Sequence, residues 1–579
     1  MKKEIIREEK TKEIRLKRPN GDIYVYERII KYDSIKKYNV IVSNKLIGKI
    51  VKGTNEIVPT RPKRKKENED NCTYKQRTGM MDIIAHVSEK SHVQFEVMEA
   101  VGTNIGLGQK MLTLAWYSFA TDGNTWPNVH NWCIRYSGLL PYKDTPISQY
   151  IYHDVFTYLG LNEKIKQSIF LSRAKAMGNG ELIALDSTTI FTESDNLRCS
   201  KISVHKDGLI KPVYKIVTIY SITSRQPISY ARIPGNIPDI QTVPNALKQM
   251  KALKLRKAEI VTDNGYYSEE NILLMIKQGF AFITRVQVNL SWVAPLVEQY
   301  REELEKGGEI MHCDPKFSGA NISIKHNFKY KRKKGSTKKD FNKGDIENIT
   351  KKLNVFIYYS SEKKADEDIK FRKKFDNIRT DLMRGAYLNK DDIDFAEKYM
   401  IIHKRTGKVT DVSINQSEYT KRLKNHGYLV LLANKEKDTN KCLEKYRARE
   451  YIEEDVKNHK SHTDGNHPRV WNDDTLDGQL LVQFLALSMH ESFESMIRYL
   501  SDTLAVPNGE YEHDLETNLK FEKKLKDWLR KNSMYSILNW FDALETTVID
   551  DNGIKVKIST ETSSRDNLFL EKLKIKRHF

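Results

Sequence analysis

Apolar positions change period several times along this chain, and each change marks a new kind of element. Between residues 20 and 60 apolar and polar residues alternate, as in "DIYVYERIIKY" and "YNVIVSNKLIGKIV". Alternation at period two predicts half-buried strands, because successive side chains leave opposite faces of an extended backbone. From about 92 to 177 the spacing becomes helical, as in "QKMLTLAWYSFATDG" and the run from Thr145, which ends at Gly-Asn-Gly as a helix stop should. At 181 the texture switches again. "ELIALDSTTIF", "VYKIVTIYSI" and "QPISYARIPG" read as three strands, the last two joined by the turn signal "TSRQP". "DIQTVPNALKQMKALKL" has helical spacing, and "KAEIVTDNGYY" is a strand ending at a turn. "SEENILLMIKQG" is a helix with a Ser cap and a Gly stop, and "FAFITRVQV" is a further strand. The predicted order over 181–289 is βββαβαβ, which is an α/β mixed sheet with helices on its faces.

Residues 307–425 interrupt that order and include the basic run "KYKRKKGSTKKDFNKG". A structureless loop of that length is improbable inside a domain, so an inserted subdomain carrying a basic loop is expected. "GYLVLLANK" at 427–435 restores a strand, 440–461 makes a helix, and "DDTLDGQLLVQFLALSMHESFESMIRYL" is a helix apolar enough to require burial. No internal repeat is visible. The expected division is a small β-rich region (1–70), a helical region (71–178), a core split over 179–306 and 426–505, an insertion (307–425) and a basic helical tail (506–579).

Composition adds a partner class. The chain has 579 residues and a net charge of +20, with basic residues spread along it. That favours a polyanionic partner, nucleic acid before anionic membrane, although a merely lysine-rich soluble protein carries the same charge. The five cysteines lie far apart without a C-x-x-C pair, which suggests neither a disulfide framework nor a zinc ribbon and fits a reducing cytosol. No apolar run approaches the roughly 18 residues of a membrane span, and the charged start has no signal-peptide core.

Candidate chemistry lies in "YRAREYIEEDVKNHK", residues 446–460. On a helix with Tyr446 at 0°, Arg449 falls at about 300°, Glu453 at about 340° and Lys460 at about 320°, so all four share an arc of about 60°. Glu450 borders that stripe. A stripe of Tyr, Arg, carboxylate and Lys suits a phosphate backbone with one acid held at a metal; a solvated face with i,i+4 pairs would look similar. Two further acids stand out. Asp186 lies inside the apolar run "LIALDSTTI", where a carboxylate needs partners or a metal. Asp263 ends the strand "AEIVT", at the strand end where α/β sheets place their sites, although an Asp-Asn-Gly turn would also account for it.

"ALDSTTI", "IVTDNGYYSEENI" and "YRAREYIEEDVKNHK", in that order, resemble the three acidic motifs of DDE transposases of bacterial insertion sequences. The last matches Y-(2)-R-(3)-E-(6)-K without a gap, the YREK signature of one large group, and "ISYARIPGNIPD" resembles the same group's glycine-asparagine segment. The resemblance covers roughly 180–500. It implies an RNase H-like core with a β-rich insertion ahead of the glutamate. It further implies that Asp186, Asp263 and Glu453 hold two Mg²⁺ ions, for which Mn²⁺ can substitute, and that Tyr446, Arg449 and Lys460 contact DNA near the cleaved end. The implied activity is Mg²⁺-dependent strand cleavage and strand transfer at terminal inverted repeats. The partners would be double-stranded DNA, both transposon ends and target, and a second copy in a synaptic homodimer, with no membrane. The setting would be the bacterial cytoplasm, close to the nucleoid. The helical region would bind the ends.

Two alternatives stay open on sequence: a non-catalytic DNA-binding protein derived from a transposase, and another RNase H-like nuclease. Other motifs carry less. "GTNIGLGQK" fits no phosphate-loop pattern, the histidines of "NHKSHTDGNH" lack a cysteine partner, and Trp292 reads as a core or domain-contact tryptophan.

Overall fold

The computed structural model describes residues 10–18, 22–33, 38–50, 56–58, 71–121, 125–178, 180–194, 196–204, 210–255, 257–306, 312–314, 316–331, 346–405, 408–449, 470, 472–504, 513–551 and 554–577. The chain forms two compact units, one of residues 1–75 with 547–558 and one of 76–546 with 559–579. In the first, strands Lys10–Lys17, Ile23–Asp33, Tyr38–Ile50 and Ile57–Val58 pair antiparallel in sequence order. The last three fall where apolar alternation predicts strands; Lys10–Lys17 lies ahead of that stretch.

The second unit is built on a mixed ten-stranded sheet. Its strands are β1 (Leu182–Phe191), β2 (Lys201–Val204), β3 (Ile210–Ser221), β4 (Gln226–Pro234), β5 (Glu259–Thr262), β6 (Ala281–Val286), β7 (His312–Asp314), β8 (Phe317–Lys331), β9 (Ile346–Tyr359) and β10 (Tyr428–Ala433). The spatial order is β7-β8-β9-β10-β6-β5-β1-β3-β2, with β4 also on β3. Helices α1 (Val243–Ala252) and α2 (Glu269–Lys277) flank β5. Strand β5 runs parallel to both β1 and β6, and the remaining pairs are antiparallel. The predicted order over 181–289 therefore gains one element, the four-residue β2, whose "KISV" is too short and too polar to announce itself.

Each central strand has two buried faces, which explains its nearly continuous apolar sequence. Ile183, Ile260, Phe282 and Val430 enter the large core on one side; Ala184, Val261, Ile283 and Leu431 enter a smaller core on the other. Strand β10 is buried at all six positions because Tyr428, Val430 and Leu432 enter the large core and Leu429, Leu431 and Ala433 the smaller one.

The described part of residues 307–425 mixes strands and helices. Three of their strands, β7, β8 and β9, extend the main sheet itself, β8 and β9 pairing over fourteen positions. The rest is largely helical. Helix α3 (Ser361–Arg384) buries Phe371, Phe375 and Ile378 at helical spacing and stops at Gly385 in the left-handed conformation. Helix Lys390–Tyr399, the hairpin Met400–Arg405/Lys408–Ile414 and helix Gln416–Lys424 complete it. Much of the basic run, 332–345, lies outside the described residues.

The apolar run near 473 becomes a 31-residue helix, Asp473–Thr503, capped by the Asn472 side chain, which accepts from Thr475 N at 2.8 Å. It crosses helix Gln149–Leu161 backbone to backbone: a Cβ on Gly478 would sit 1.9 Å from the Phe156 carbonyl oxygen. A buried ion pair fixes the helical region to the sheet. Arg173 meets Glu96 at 2.6 Å and donates to Pro227 O at 3.2 Å, and it also donates to Ser488 on the long helix. No helix among the described residues is long and apolar enough to cross a membrane.

Candidate active site

The register of the central strands fixes the two aspartates. On parallel strands β1 and β5, Val261 lies opposite Ala184. The paired register ends there; Asp263 is still extended (φ −82°, ψ 173°), and continuing the alignment by two residues brings it level with Asp186. Strand β6 continues the row: Thr262 faces Thr284, which sets Arg285 beside Asp263. Neighbouring strands are about 4.8 Å apart. Asp186, Asp263 and Arg285 thus form one row, with the same parity as Ala184, Val261 and Ile283 and hence on the face of the smaller core.

A helix covers that face. Residues 439–449 are helical, with the Asp438 side chain accepting from Lys441 N at 2.9 Å as a cap. Lys445 anchors the helix by bridging Glu259 and Glu436, each at 2.7 Å. Cys442, Leu443 and Tyr446 pack into the smaller core. The stripe starting at Tyr446 is therefore partly a core face. The Tyr446 ring is buried, and its hydroxyl donates to Asp263 Oδ1 at 3.4 Å. Arg449, only 8% exposed, brings Nη2 to 3.9 Å from Asp263 Oδ2, and Arg285 Nη1 lies 3.7 Å from Oδ1. Asp263 itself keeps a third of its side-chain surface exposed. Its carboxylate sits between two guanidiniums and a phenol without being closed off.

Electrostatics link the parts. Burial raises the Tyr446 phenol above its ordinary value; the charge of Asp263 raises it further, while Arg449 and Arg285 oppose it. Burial also pushes the Tyr266 phenol well up, against a hydrogen bond with Ser187; Asp186 and Asp239 raise it and Arg449 lowers it. Both aspartates thus share one neighbourhood with Arg449.

Two of the six predicted site residues, Glu453 and Lys460, lie outside the described residues, as does Glu450. Among the described residues no group of three or more His, Cys, Asp or Glu is placed to hold a metal ion. Sequence reasoning missed Arg285. Its signal was present, a charge inside the apolar run "FITRVQV", the same kind of signal that exposed Asp186 in "LIALDSTTI". Trp292 packs against the large core and tilts over His326 at 4.7 Å.

Two clefts open from this row. One, of about 630 Å³, is lined by Asp263, Tyr446, Arg447, Arg449 and the start of helix Ser361–Arg384. The other, of about 230 Å³, runs from Asn264 past Gln287 and Asn289 to Arg422 and Asn425. Arg285 lines both.

No curated protein matches the sequence. Among solved structures, a piggyBac transposase in a synaptic complex with hairpin DNA is similar at 11% identity and a TM-score of 0.32, covering 78% of this chain and 76% of that one. A likeness that loose carries no argument. The Transposase DDE domain family matches residues 178–489, a span that contains both aspartates, Arg285 and the covering helix. That match takes in more than half of the chain, which belongs to the DDE transposase family.

Proposed function

We propose that this transposase performs Mg²⁺-dependent strand cleavage and strand transfer at the terminal inverted repeats of a bacterial insertion sequence of the YREK-signature group. Asp186, Asp263 and Glu453 are its catalytic, metal-holding acids on an RNase H-like core. The observation that carries the reading is the strand register that sets Asp263 beside Asp186 beneath Tyr446 and Arg449. Both aspartates are partly exposed carboxylates, hard oxygen donors, and this donor set fits a divalent cation that keeps part of its hydration. When bound, a pair of such ions supplies an activated attacking oxygen and a stabilised leaving 3′ oxygen.

The chain's own residues do the rest. Arg449 forks onto a phosphate oxygen pair near the cleaved end. Lys460 adds a point charge, and the Tyr446 hydroxyl donates to the same backbone. Water is the nucleophile for nicking and a DNA 3′-hydroxyl for joining, with no covalent enzyme intermediate. The helical region 71–178 binds the ends. The working form is a homodimer in the bacterial cytoplasm.

Duplexes carrying the DNA that flanks the gene provide the test. Asp186→Ala, Asp263→Ala and Glu453→Ala should each abolish Mg²⁺-dependent nicking while gel-shift binding survives. A Glu453→Ala protein that cuts at the wild-type rate removes the assignment of the third acid. Binding without any wild-type nicking returns the chain to a non-catalytic DNA binder.

A further inference from the structure

The cleft that leaves Asp263 on the Arg285 side differs in chemistry from its neighbour. Its walls are mainly amides and cations: Asn264, Gln287, Asn289 and Asn425 with Arg285 and Arg422. Its one carboxylate, Glu367, is engaged within the protein. One Glu367 oxygen accepts from Gly427 N at 2.8 Å and the other pairs with Lys363. His426, also on the wall, faces Asp368 through Nδ1 at 2.7 Å. The charge presented to a ligand is therefore that of the two arginines. Amide side chains offer donors and acceptors together, as nucleobase edges require, while guanidiniums match phosphates. A small apolar ligand would find little surface there.

We propose that this cleft is the track of a DNA strand leaving the cleavage site, with Arg285 and Arg422 on its phosphates and Gln287, Asn289 and Asn425 on its bases. Arg285 stands at the junction because it lines both clefts and reaches Asp263 at 3.7 Å. It is thereby a positioning residue, coupling the strand's path to the acid row. Arg422, on helix Gln416–Lys424, reads the path further out. The inference rests on the reading of Asp263 as a site residue, but the track itself is a binding property and is measured without catalysis.

The test uses a fluorescein-labelled 30-nucleotide single strand of mixed sequence and the full-length protein, in EDTA, with affinity followed against salt by anisotropy. Each lost phosphate contact lowers the slope of log K against log [salt] by about 0.7 for a single strand. Arg422→Ala and Arg285→Ala should each lose about that amount, and the double variant about twice it. Lys390→Ala, on an exposed position that lines neither cleft, should leave the slope unchanged. Arg422→Lys, which keeps the charge, should restore most of the loss. Wild-type slopes for both single variants overturn the track. Because no metal is present, that outcome is read separately from Mg²⁺-dependent nicking, whose absence would instead overturn the catalytic reading.

Discussion

Two acid–guanidinium arrangements in the same unit are built to opposite ends. Arg173 and Glu96 are 2% and 3% exposed and meet at 2.6 Å, with further acceptors on β4 around the guanidinium. Asp263 is 33% exposed and is approached by Tyr446, Arg285 and Arg449 at 3.4, 3.7 and 3.9 Å. The first is a closed pair, whose charges were removed from water and are satisfied only by each other and their hydrogen bonds. The second has one short bond, from Asn264 N to Asp263 Oδ1 at 2.7 Å, and is otherwise loose and partly exposed, so its side-chain partners can exchange the carboxylate for another anion, and the carboxylate can accept a cation. Charge in an apolar sequence context marks both kinds; only burial and distance separate a strut from a site.

The largest effect that would sharpen this contrast is on the closed pair. Arg173→Ala leaves the Glu96 carboxylate buried without its cation, and a loss of about 3–5 kcal/mol of stability is expected. Urea denaturation measures it; a loss below about 1 kcal/mol would erase the distinction drawn here. Asp263→Ala should do the reverse. It should lower Mg²⁺-dependent nicking by more than about 100-fold, while the urea midpoint stays near that of the wild type, since no closed pair is broken. Between these lies a packing change. Gly478→Ala thrusts a methyl into the Phe156 backbone where helix Asp473–Thr503 crosses helix Gln149–Leu161. Overpacking of this kind costs about 1–3 kcal/mol or more. Because that helix also carries Ser488, a contact of Arg173, the Gly478→Ala loss should fall when measured in the Arg173→Ala background.

What the sequence made legible follows the same physics. Strand β10 and the long helix were readable because burial on all sides leaves an unbroken apolar run. The aspartates at 186 and 263 were readable because a charge in or just after such a run is conspicuous. The joining of β8 and β9 to the main sheet was not, since strand pairing is non-local and nothing in either strand names its neighbour. Arg173 and Glu96 are 77 positions apart and look like ordinary charges on amphipathic helices. Tyr446 was read as a contact on an open stripe; its ring proves to be core because the helix must also bury Cys442 and Leu443.

That double role of Tyr446 supports the smallest and most discriminating change, Tyr446→Phe. The ring fills space among Cys442, Leu443 and Val261, and phenylalanine keeps that volume. The hydroxyl's long contact, 3.4 Å to a partly exposed carboxylate, contributes little to folding. Stability should therefore move by less than about 0.5–1 kcal/mol. If the hydroxyl serves DNA, nicking at saturating DNA should fall severalfold while the urea midpoint is held. If Asp263 and Tyr446 instead form another strut like Arg173 and Glu96, the midpoint should drop and nicking should follow only in proportion to the unfolded fraction. The two readouts move in opposite order, so a single variant decides on which side of the comparison this tyrosine belongs.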